Sequence, residues 1–310
     1  MWQIILNPSA GNGKATKQWQ KIEIELKKVN LPYQVYRSKR PLHCTEIAKE
    51  LIEQGAKRLI GVGGDGTNHE IINGIMLQKS VPTDQITYGF IPLGTGNDWV
   101  KTHGIPRKIA DAIAILKSGH TIYQDIGLAR FQWENQEKER YFVNVAGMAY
   151  DAHVTRVSNI ERHKITNAVY YYMLIFKCLF EYINKKAKLI LDGKEVAHKS
   201  FYTINIGLCK YSGGGMQFVP HAEINDGKFA VSYVESISKL KVVASTHYLY
   251  GGKIAKFKHA HLFKAKKVRV EAADDEPTLL ELDGEFVGTT PVEFEIIPKA
   301  LKVIVPKETK

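Results

Sequence analysis

"LIGVGGDGTNHEIINGI", residues 59–75, sets four glycines at positions 61–66 and places Asp65 among them. The apolar run before the glycines reads as a strand and the segment after them as a helix. Glycine-rich turns at such a junction bare backbone N–H groups and usually cradle phosphate. A carboxylate in that turn would repel phosphate unless a hard cation stood between them. "GVGGDG", 61–66, formally matches the dinucleotide pattern G-x-G-x-x-G. That fold also needs an acid at the end of the next strand to hold a ribose hydroxyl. Here the next strand, "TYGFIPLG" at 87–94, ends in Pro92 and Gly94. A Walker loop is excluded as well, because Ala15 follows Gly13-Lys14 and Pro8 stands at the earlier glycine position.

Around this stretch, strand-like and helix-like segments alternate. "WQIIL" precedes the helical "KATKQWQKIEIELKKV", "YQVYR" precedes "CTEIAKELIEQG", and "TYGFIPLG" precedes "DAIAILKSG". Repeated strand–helix units predict a parallel-type sheet with flanking helices over residues 1–126. Beyond that point short strand-like runs dominate, with Asp-Gly turns at 192–193, 226–227 and 283–284. Residues 127–291 therefore read as a mostly antiparallel, β-sandwich-like second domain. A last strand, at about 292–310, is placed to return to the first domain.

Ligands of such sheets gather at the carboxyl ends of the strands. Three small-residue loops fall there: Asn7-Pro8-Ser9-Ala10-Gly11, Gly63-Gly64-Asp65-Gly66-Thr67, and Pro92 to Asp98. Any one is explained as a tight turn, but three on one edge form a phosphate site. Asp65 and Asp98 lie in these loops and Asp125 follows in "YQDIGLA". Asp98 and Asp125 have an alternative as helix caps or turn stabilisers. Asp65, with glycine on both sides, invites Mg²⁺ held by one or two carboxylates and substrate oxygens.

The totals narrow the setting. The 310 residues carry 44% apolar and 24% charged residues and a formal net charge of +11, which favours anionic partners. No recognised nucleic-acid module accompanies the charge. Cys44, Cys178 and Cys209 form neither a disulfide framework nor a zinc site, and a reducing cytoplasm is expected. The most apolar stretch, 165–183, is interrupted by Lys177 and Glu181 and reads as a core helix or, alternatively, a membrane-touching one. The basic stretch 251–270 reads as an edge strand with solvated lysines or a membrane patch. An exposed sheet edge leaves self-association open.

The motifs "NPSAG" (7–11), "GGDGTNHEIING" (63–74), "PLGTGNDW" (92–99) and "ELDGEFVG" (281–288) together resemble the bacterial diacylglycerol kinase-like lipid kinases. That family shares its catalytic domain with diacylglycerol and sphingosine kinases. "FVNVAGMAYDAHV" (142–154) and "GGGMQFVPHAEINDGKF" (213–229) extend the resemblance along nearly the whole chain. It implies two domains with ATP in a cleft between them. It also implies nucleotide contacts from Asn7, Pro8, Ser9, Ala10 and Gly11, from Gly64, Asp65, Gly66, Thr67, Asn68, His69 and Glu70, and from Thr95. A hydroxyl residue after the second strand has Ser38 as its nearest candidate. Asp65, Asp98 and Asp125 match an aspartate–water–Mg²⁺ network, and Asp283 or Glu285 is the general base. A structural metal is implied at Glu223, Asp226 and Lys228. The implied function is ATP- and Mg²⁺-dependent phosphorylation of a lipid hydroxyl, most readily diacylglycerol, at a membrane surface. The alternatives are an NAD kinase-like enzyme, which the PLGTGND and DGE motifs disfavour, and a catalytically silent lipid-binding protein.

Overall fold

The computed structural model describes residues 1–161, 168–274 and 276–307. Two units divide the chain, one formed by residues 1–126 with 297–310 and the other by 127–296.

In the first unit the short apolar runs become strands, three of them largely buried and the one at 33–37 half-exposed. The order is β1 (Trp2–Leu6), α1 (Ala10–Lys28), β2 (Tyr33–Arg37), α2 (His43–Glu53), β3 (Arg58–Gly63), α3 (Asp65–Leu77), β4 (Thr87–Pro92), α4 (Asp98–Thr102) and α5 (Ile109–Ser118). β1 pairs in parallel with β2 and β3, and β3 pairs in parallel with β4. Ile4, Leu6, Ile60, Val62 and Ile91 of the strands pack with Ile22 and Leu26 of α1 and Ile113 and Leu116 of α5. This one-sided apolar layer makes the α1 and α5 stripes amphipathic. Because the four strands run the same way, the turns that follow β1, β3 and β4 leave a single edge of the sheet.

The chain passes into the second unit along β5 (Thr121–Trp133). There follow β6 (Gln136–Phe142), β7 (Val145–Ala149), α6 (Tyr150–Ile160), α7 (Ala168–Glu181), β8 (Lys185–Leu191), β9 (Lys194–Gly207), β10 (Phe229–Glu235), α8 (Lys239–Ser245), β11 (Ala260–Ala265), β12 (Lys267–Ala272), β13 (Leu279–Leu282) and β14 (Glu285–Ile304). Pairing here is antiparallel. β9 joins β8, β7 and β10, while the first half of β14 joins β13 and then β12. β14 ends back in the first unit, where Lys302 and Val303 lie parallel to Thr87 and Tyr88 of β4.

One core fills the second unit. Phe142 stacks on Phe229 at 5.8 Å between centroids and meets Phe294 edge-on at 5.8 Å. Phe201, Leu189, Val270 and Leu280 are buried in the same cluster. The helix expected at 165–183 is α7 over 168–181; positions 165–167 lie outside the described residues. It is only partly a core helix. Leu174, Cys178 and Leu179 pack on Tyr150 and Val154 of α6, whereas Met173, Phe176 and Phe180 are exposed. No helix of the described residues is long and apolar enough to cross a membrane.

Three of the seven Lys and Arg residues of the basic stretch 251–270 are ion-paired within its own unit. Lys264 pairs with Glu223 and Asp226, Lys267 with Glu295, and Arg269 with Glu271 and Glu293. Of its strands, β11 stands at a sheet edge beside β10, whereas β12 lies between β8 and β14.

Phe142 is fully buried and sits at the centre of the aromatic trio. Phe142→Ala should cost about 3–5 kcal/mol of stability, by lost burial plus an unfilled cavity. Chemical denaturation should show a lower midpoint at unchanged slope.

Candidate active site

The three loops meet at the carboxyl edge of the first unit's sheet through backbone approaches that side chains would block. A Cβ on Gly94 would lie 2.6 Å from the Cα of Gly64, and one on Gly11 would lie 2.4 Å from the Leu93 carbonyl oxygen. Hydrogen bonds complete the joint. Leu93 N donates to Gly63 O at 2.7 Å, and Asn7 Nδ2 donates to Thr67 Oγ1 at 3.0 Å. Asn7 also closes its own turn, its Oδ1 accepting Ser9 N at 3.0 Å just before α1. Thr95 is exposed at the tip of the third loop. Arg107 reaches the same tip and donates to the Gly94 and Thr95 carbonyls at 3.2 Å each.

Asp65 and Asp98 come together here. Asp65 Oδ1 accepts from Asp98 N at 2.9 Å and from Trp99 N at 3.4 Å, so the acid opening α3 also caps α4. Their other oxygens share a side: a Cβ on Gly96 would stand 3.0 Å from Asp65 Oδ2 and 3.7 Å from Asp98 Oδ2. Asp98 Oδ1 takes Lys101 Nζ at 2.6 Å. Burial, and then the charge of Asp98, raise the Asp65 pKa to about 6. The carboxylates are held in place by α4. Trp99 Nε1 donates to Gln124 Oε1 at 3.0 Å, and His103 Nε2 lies 2.8 Å from the same oxygen. Burial lowers the His103 pKa to about 4, so the ring is neutral and donates there.

Several expected site residues have other duties. Asn68 and His69 are buried: Asn68 Oδ1 accepts from Tyr88 Oη at 2.8 Å, and His69 lies against Asn73. The Glu70 carboxylate accepts from Leu42 N and Cys44 N, at 3.0 and 3.1 Å, and so caps α2. Ser38 extends the β1–β2 ladder by one bond, its N donating to Leu6 O at 2.9 Å, which brings it to the loop edge. Asp125 is fully buried, and its Oδ1 accepts from Lys299 N at 2.7 Å, fixing a residue of β14 with φ of 52°. That contact is a turn-stabilising role, the alternative reading of this residue. At Glu223, Asp226 and Lys228, where the resemblance implies a structural metal held by the Asp226 carboxylate and backbone carbonyls, the ammonium of Lys264 bridges the Glu223 and Asp226 carboxylates. The Lys228 amide donates to Asp226 Oδ1 at 3.1 Å. A fixed cation of the chain neutralises those charges.

In the second unit the two acids of "DGE" separate. Asp283, with φ of 52°, turns its carboxylate onto the backbone: Oδ2 accepts from Val143 N at 2.9 Å and Oδ1 from Asn144 N at 2.8 Å. Glu285 opens β14 half-buried, with Asn159 Nδ2 3.4 Å from its Oε2.

Two further acids stand beside this turn, and sequence reasoning did not single them out. Glu281 is buried, its Oε2 accepts from Gly284 N at 2.7 Å, and burial raises its pKa well above the usual range. Asp151 Oδ2 accepts from Thr203 Oγ1 at 2.6 Å, and burial raises its pKa to about 6. The available signal was Glu281 standing between Leu280 and Leu282, both fully buried, in a strand covered on both faces.

A glycine-loop edge carrying paired carboxylates, followed by an antiparallel β unit with an acidic turn, defines a phosphotransferase. Comparison with known proteins agrees. Residues 1–129 match the diacylglycerol kinase catalytic domain, and residues 144–305 match the YegS C-terminal NAD kinase beta sandwich-like domain. The chain is 28% identical to a diacylglycerol kinase of Staphylococcus saprophyticus, covering 99% of this chain and 96% of that one. It is 25% identical to a diacylglycerol kinase of Staphylococcus carnosus over the same shares. The crystal structure of a diacylglycerol kinase from Bacillus anthracis superposes with a TM-score of 0.72 at 22% identity, over 98% of this chain and 96% of that one. The chain belongs to the bacterial diacylglycerol kinase-like lipid kinase family, as a kinase that transfers phosphate to an alcohol.

The Asp65 carboxyl has a clear thermodynamic consequence. Its folded pKa lies above the unfolded value of about 3.9, so the folded protein keeps a proton that the unfolded chain releases. Stability from this group is full below about pH 4 and is lost as pH rises to about 6. Asp65→Asn retains the acceptor for Asp98 N and removes a penalty of up to about 3 kcal/mol. Without divalent metal, Asp65→Asn should melt above the wild type at pH 7.5, and the gap should narrow at pH 5.

Proposed function

We propose that this chain transfers the γ-phosphoryl group of ATP to a hydroxyl of a diacylglycerol-type lipid, with Mg²⁺ at the Asp65–Asp98 pair. The observation that carries this is the pair itself. Asp65, held by α4 amides, faces the like charge of Asp98 on a loop edge otherwise suited to anions. The donor set fits a hard cation: two carboxylates, with Asn97 Oδ1 buried beside them and lacking a hydrogen-bond partner. Among the described residues no group of three or more His, Cys, Asp or Glu forms a metal cage. That agrees with an ion completed by water and phosphate oxygens. Bound there, Mg²⁺ would offset charge on the β- and γ-phosphate oxygens and on the two carboxylates.

The chain's own groups do the rest. The phosphates lie on amides of Gly11, Gly64–Thr67 and Thr95, where the N-termini of α1 and α3 favour negative charge. Asn68, His69 and Glu70 hold this turn in place rather than touching the nucleotide with their side chains. The acceptor hydroxyl oxygen attacks the γ-phosphorus. Its O–P bond forms as the bond to the β-phosphate oxygen of ADP breaks, and the Glu285 carboxylate takes the hydroxyl proton. Asp283 positions that turn, because both of its oxygens are engaged by the amides of Val143 and Asn144.

A lipid acceptor must be met at a membrane. The exposed apolar face of α7, with Leu240 and Val243 of α8, is the surface suited to that contact.

Purified protein with labelled ATP and Mg²⁺ should phosphorylate a lipid of an acceptor panel and leave NAD unlabelled. Label found only in NADP would overturn the assignment. Asp65→Ala should abolish turnover. Glu285→Gln should lower kcat by about 10²–10⁴-fold with little change in KM for ATP, whereas Asp283→Asn should lower the melting temperature as well. Mg²⁺ with a non-hydrolysable ATP analogue should raise the melting temperature of the wild type more than that of Asp65→Asn.

Sedimentation with vesicles tests the membrane face. A Phe176→Ser/Phe180→Ser double variant should lose binding to anionic vesicles while keeping its fold. Unchanged binding would reject α7 as the contact.

A further inference from the structure

The third loop of the candidate site sorts its backbone groups onto two sides. Arg107 Nη2 donates to the carbonyl oxygens of Gly94 and Thr95 at 3.2 Å each, and Asn97 Nδ2 donates to that of Gly94 at 2.7 Å. The peptide bonds here are trans, so each N–H points away from the carbonyl of its own peptide unit. Drawing the Gly94 and Thr95 carbonyls towards Arg107 therefore turns the amides of Thr95 and Gly96 the opposite way. Among the described residues nothing accepts those two amides, whereas those of Asp98 and Trp99 are taken by Asp65. Gly96 itself borders the carboxylate pair: a Cβ there would stand 3.0 Å from Asp65 Oδ2.

The arginine is presented by a fixed turn. Gly104, with φ of 64°, ends α4, and Ile105 N donates to Val100 O at 3.0 Å. Pro106 cannot continue the helix, and the buried side chains of Ile105 and Ile109 anchor the chain on either side of Arg107. The nearest acid in sequence, Asp111, is occupied by Lys108 at 3.4 Å. One guanidinium nitrogen spans both carbonyls, and the charge that strengthens these bonds persists at every pH the protein meets.

We infer that Arg107 is a positioning residue for the nucleotide. From behind the third loop it orients the Thr95 and Gly96 amides as a pair of donors for phosphate oxygens beside the Asp65–Asp98 site. The inference rests on the kinase reading and adds a residue to its nucleotide site. Adjacent N–H groups that face one way form an anion-binding concavity. Fixing them in advance removes the ordering cost that a loose loop would meet when the phosphate arrives. Gly94 O keeps Asn97 as a second donor, but among the described residues Thr95 O accepts only from Arg107. The direction of the Gly96 amide therefore depends on the guanidinium. Truncating an exposed side chain changes stability little, so the loss of Arg107 falls on nucleotide binding.

Calorimetry on the full chain, with Mg²⁺ and a non-hydrolysable ATP analogue, tests this. Arg107→Ala should weaken binding about tenfold, the equivalent of one charge-assisted hydrogen bond, with the melting temperature of the free protein unchanged. Should Arg107→Ala not fold, Arg107→Met keeps the apolar stem, and a comparable loss is expected of it. Arg107→Lys, which still donates to a carbonyl, should recover part of the loss. In turnover, KM for ATP should rise by the same factor while KM for the lipid stays as in the wild type. The ratio of wild-type to variant affinity should persist at about 1 M salt, where the screening length is about 3 Å, because the amides act by contact. A ratio that vanishes at high salt would make the guanidinium a distant attractor of the nucleotide and overturn the inference, as would unchanged binding by a folded variant. Lipid phosphorylation with nucleotide binding indifferent to Arg107 would keep the kinase reading and sink the positioning role. Nucleotide binding that depends on Arg107, in a protein that phosphorylates no lipid, would do the reverse.

Discussion

The first unit depends on one uncomfortable contact: two aspartates of like charge, 33 positions apart, held against each other by backbone hydrogen bonds. Asp65 accepts the first amides of α4, and α4 in turn carries Asp98. The capping bonds favour the ionised form of Asp65, while burial and Asp98 oppose it, and the opposing effects win. A site that leaves an ionisable pair under such tension at neutral pH gains when a cation arrives. The rest of the edge is arranged around that contact. Gly64 and Gly94 approach too closely for side chains, Asn7 bonds Thr67, and Trp99 is locked by Gln124.

The second unit solves a different problem. The long strands β9 and β14, each paired with several neighbours, need a packed interior, which the Phe142, Phe229 and Phe294 cluster supplies. Against this body α6, α7 and α8 cover only part of their own apolar surface. The uncovered part borders a cavity of the same unit at Phe176 and Val243. Four acids surround the nearby turn with four different environments. Asp283 is fastened to amides, Glu281 is buried and neutral, Asp151 is bonded to a hydroxyl, and Glu285 is half-buried at the strand start. Environment, not residue type, separates their roles.

Much of the fold was legible in local pattern. Alternating apolar runs and helical stripes marked the parallel unit, and Asp-Gly turns marked the antiparallel one, because strand and helix periodicities are short-range properties. The loops could also be placed on one edge, since parallel strands put every following turn on the same side. Long-range pairing was not legible. Glu70 lies in a motif, yet its carboxylate caps a helix that begins 27 positions earlier, at His43. The carboxylates of Glu223 and Asp226 are paired by Lys264, a residue that no local spacing connects to them. Glu281, in a strand, and Asp151, in α6, carried no local signal because what surrounds each carboxyl group is a property of the assembled core.

The amino-acid sequence by itself determined the class of chemistry. Glycines that bare amides, and the aspartates set among them, are covalent features of the chain and carry their meaning wherever the loops lie. Tertiary structure alone decided how the acids divide their labour and which surfaces stay open. Those outcomes depend on which distant amide, ammonium or aromatic ring reaches each carboxylate, and on whether a helix face finds a partner. Packing of the whole unit sets both.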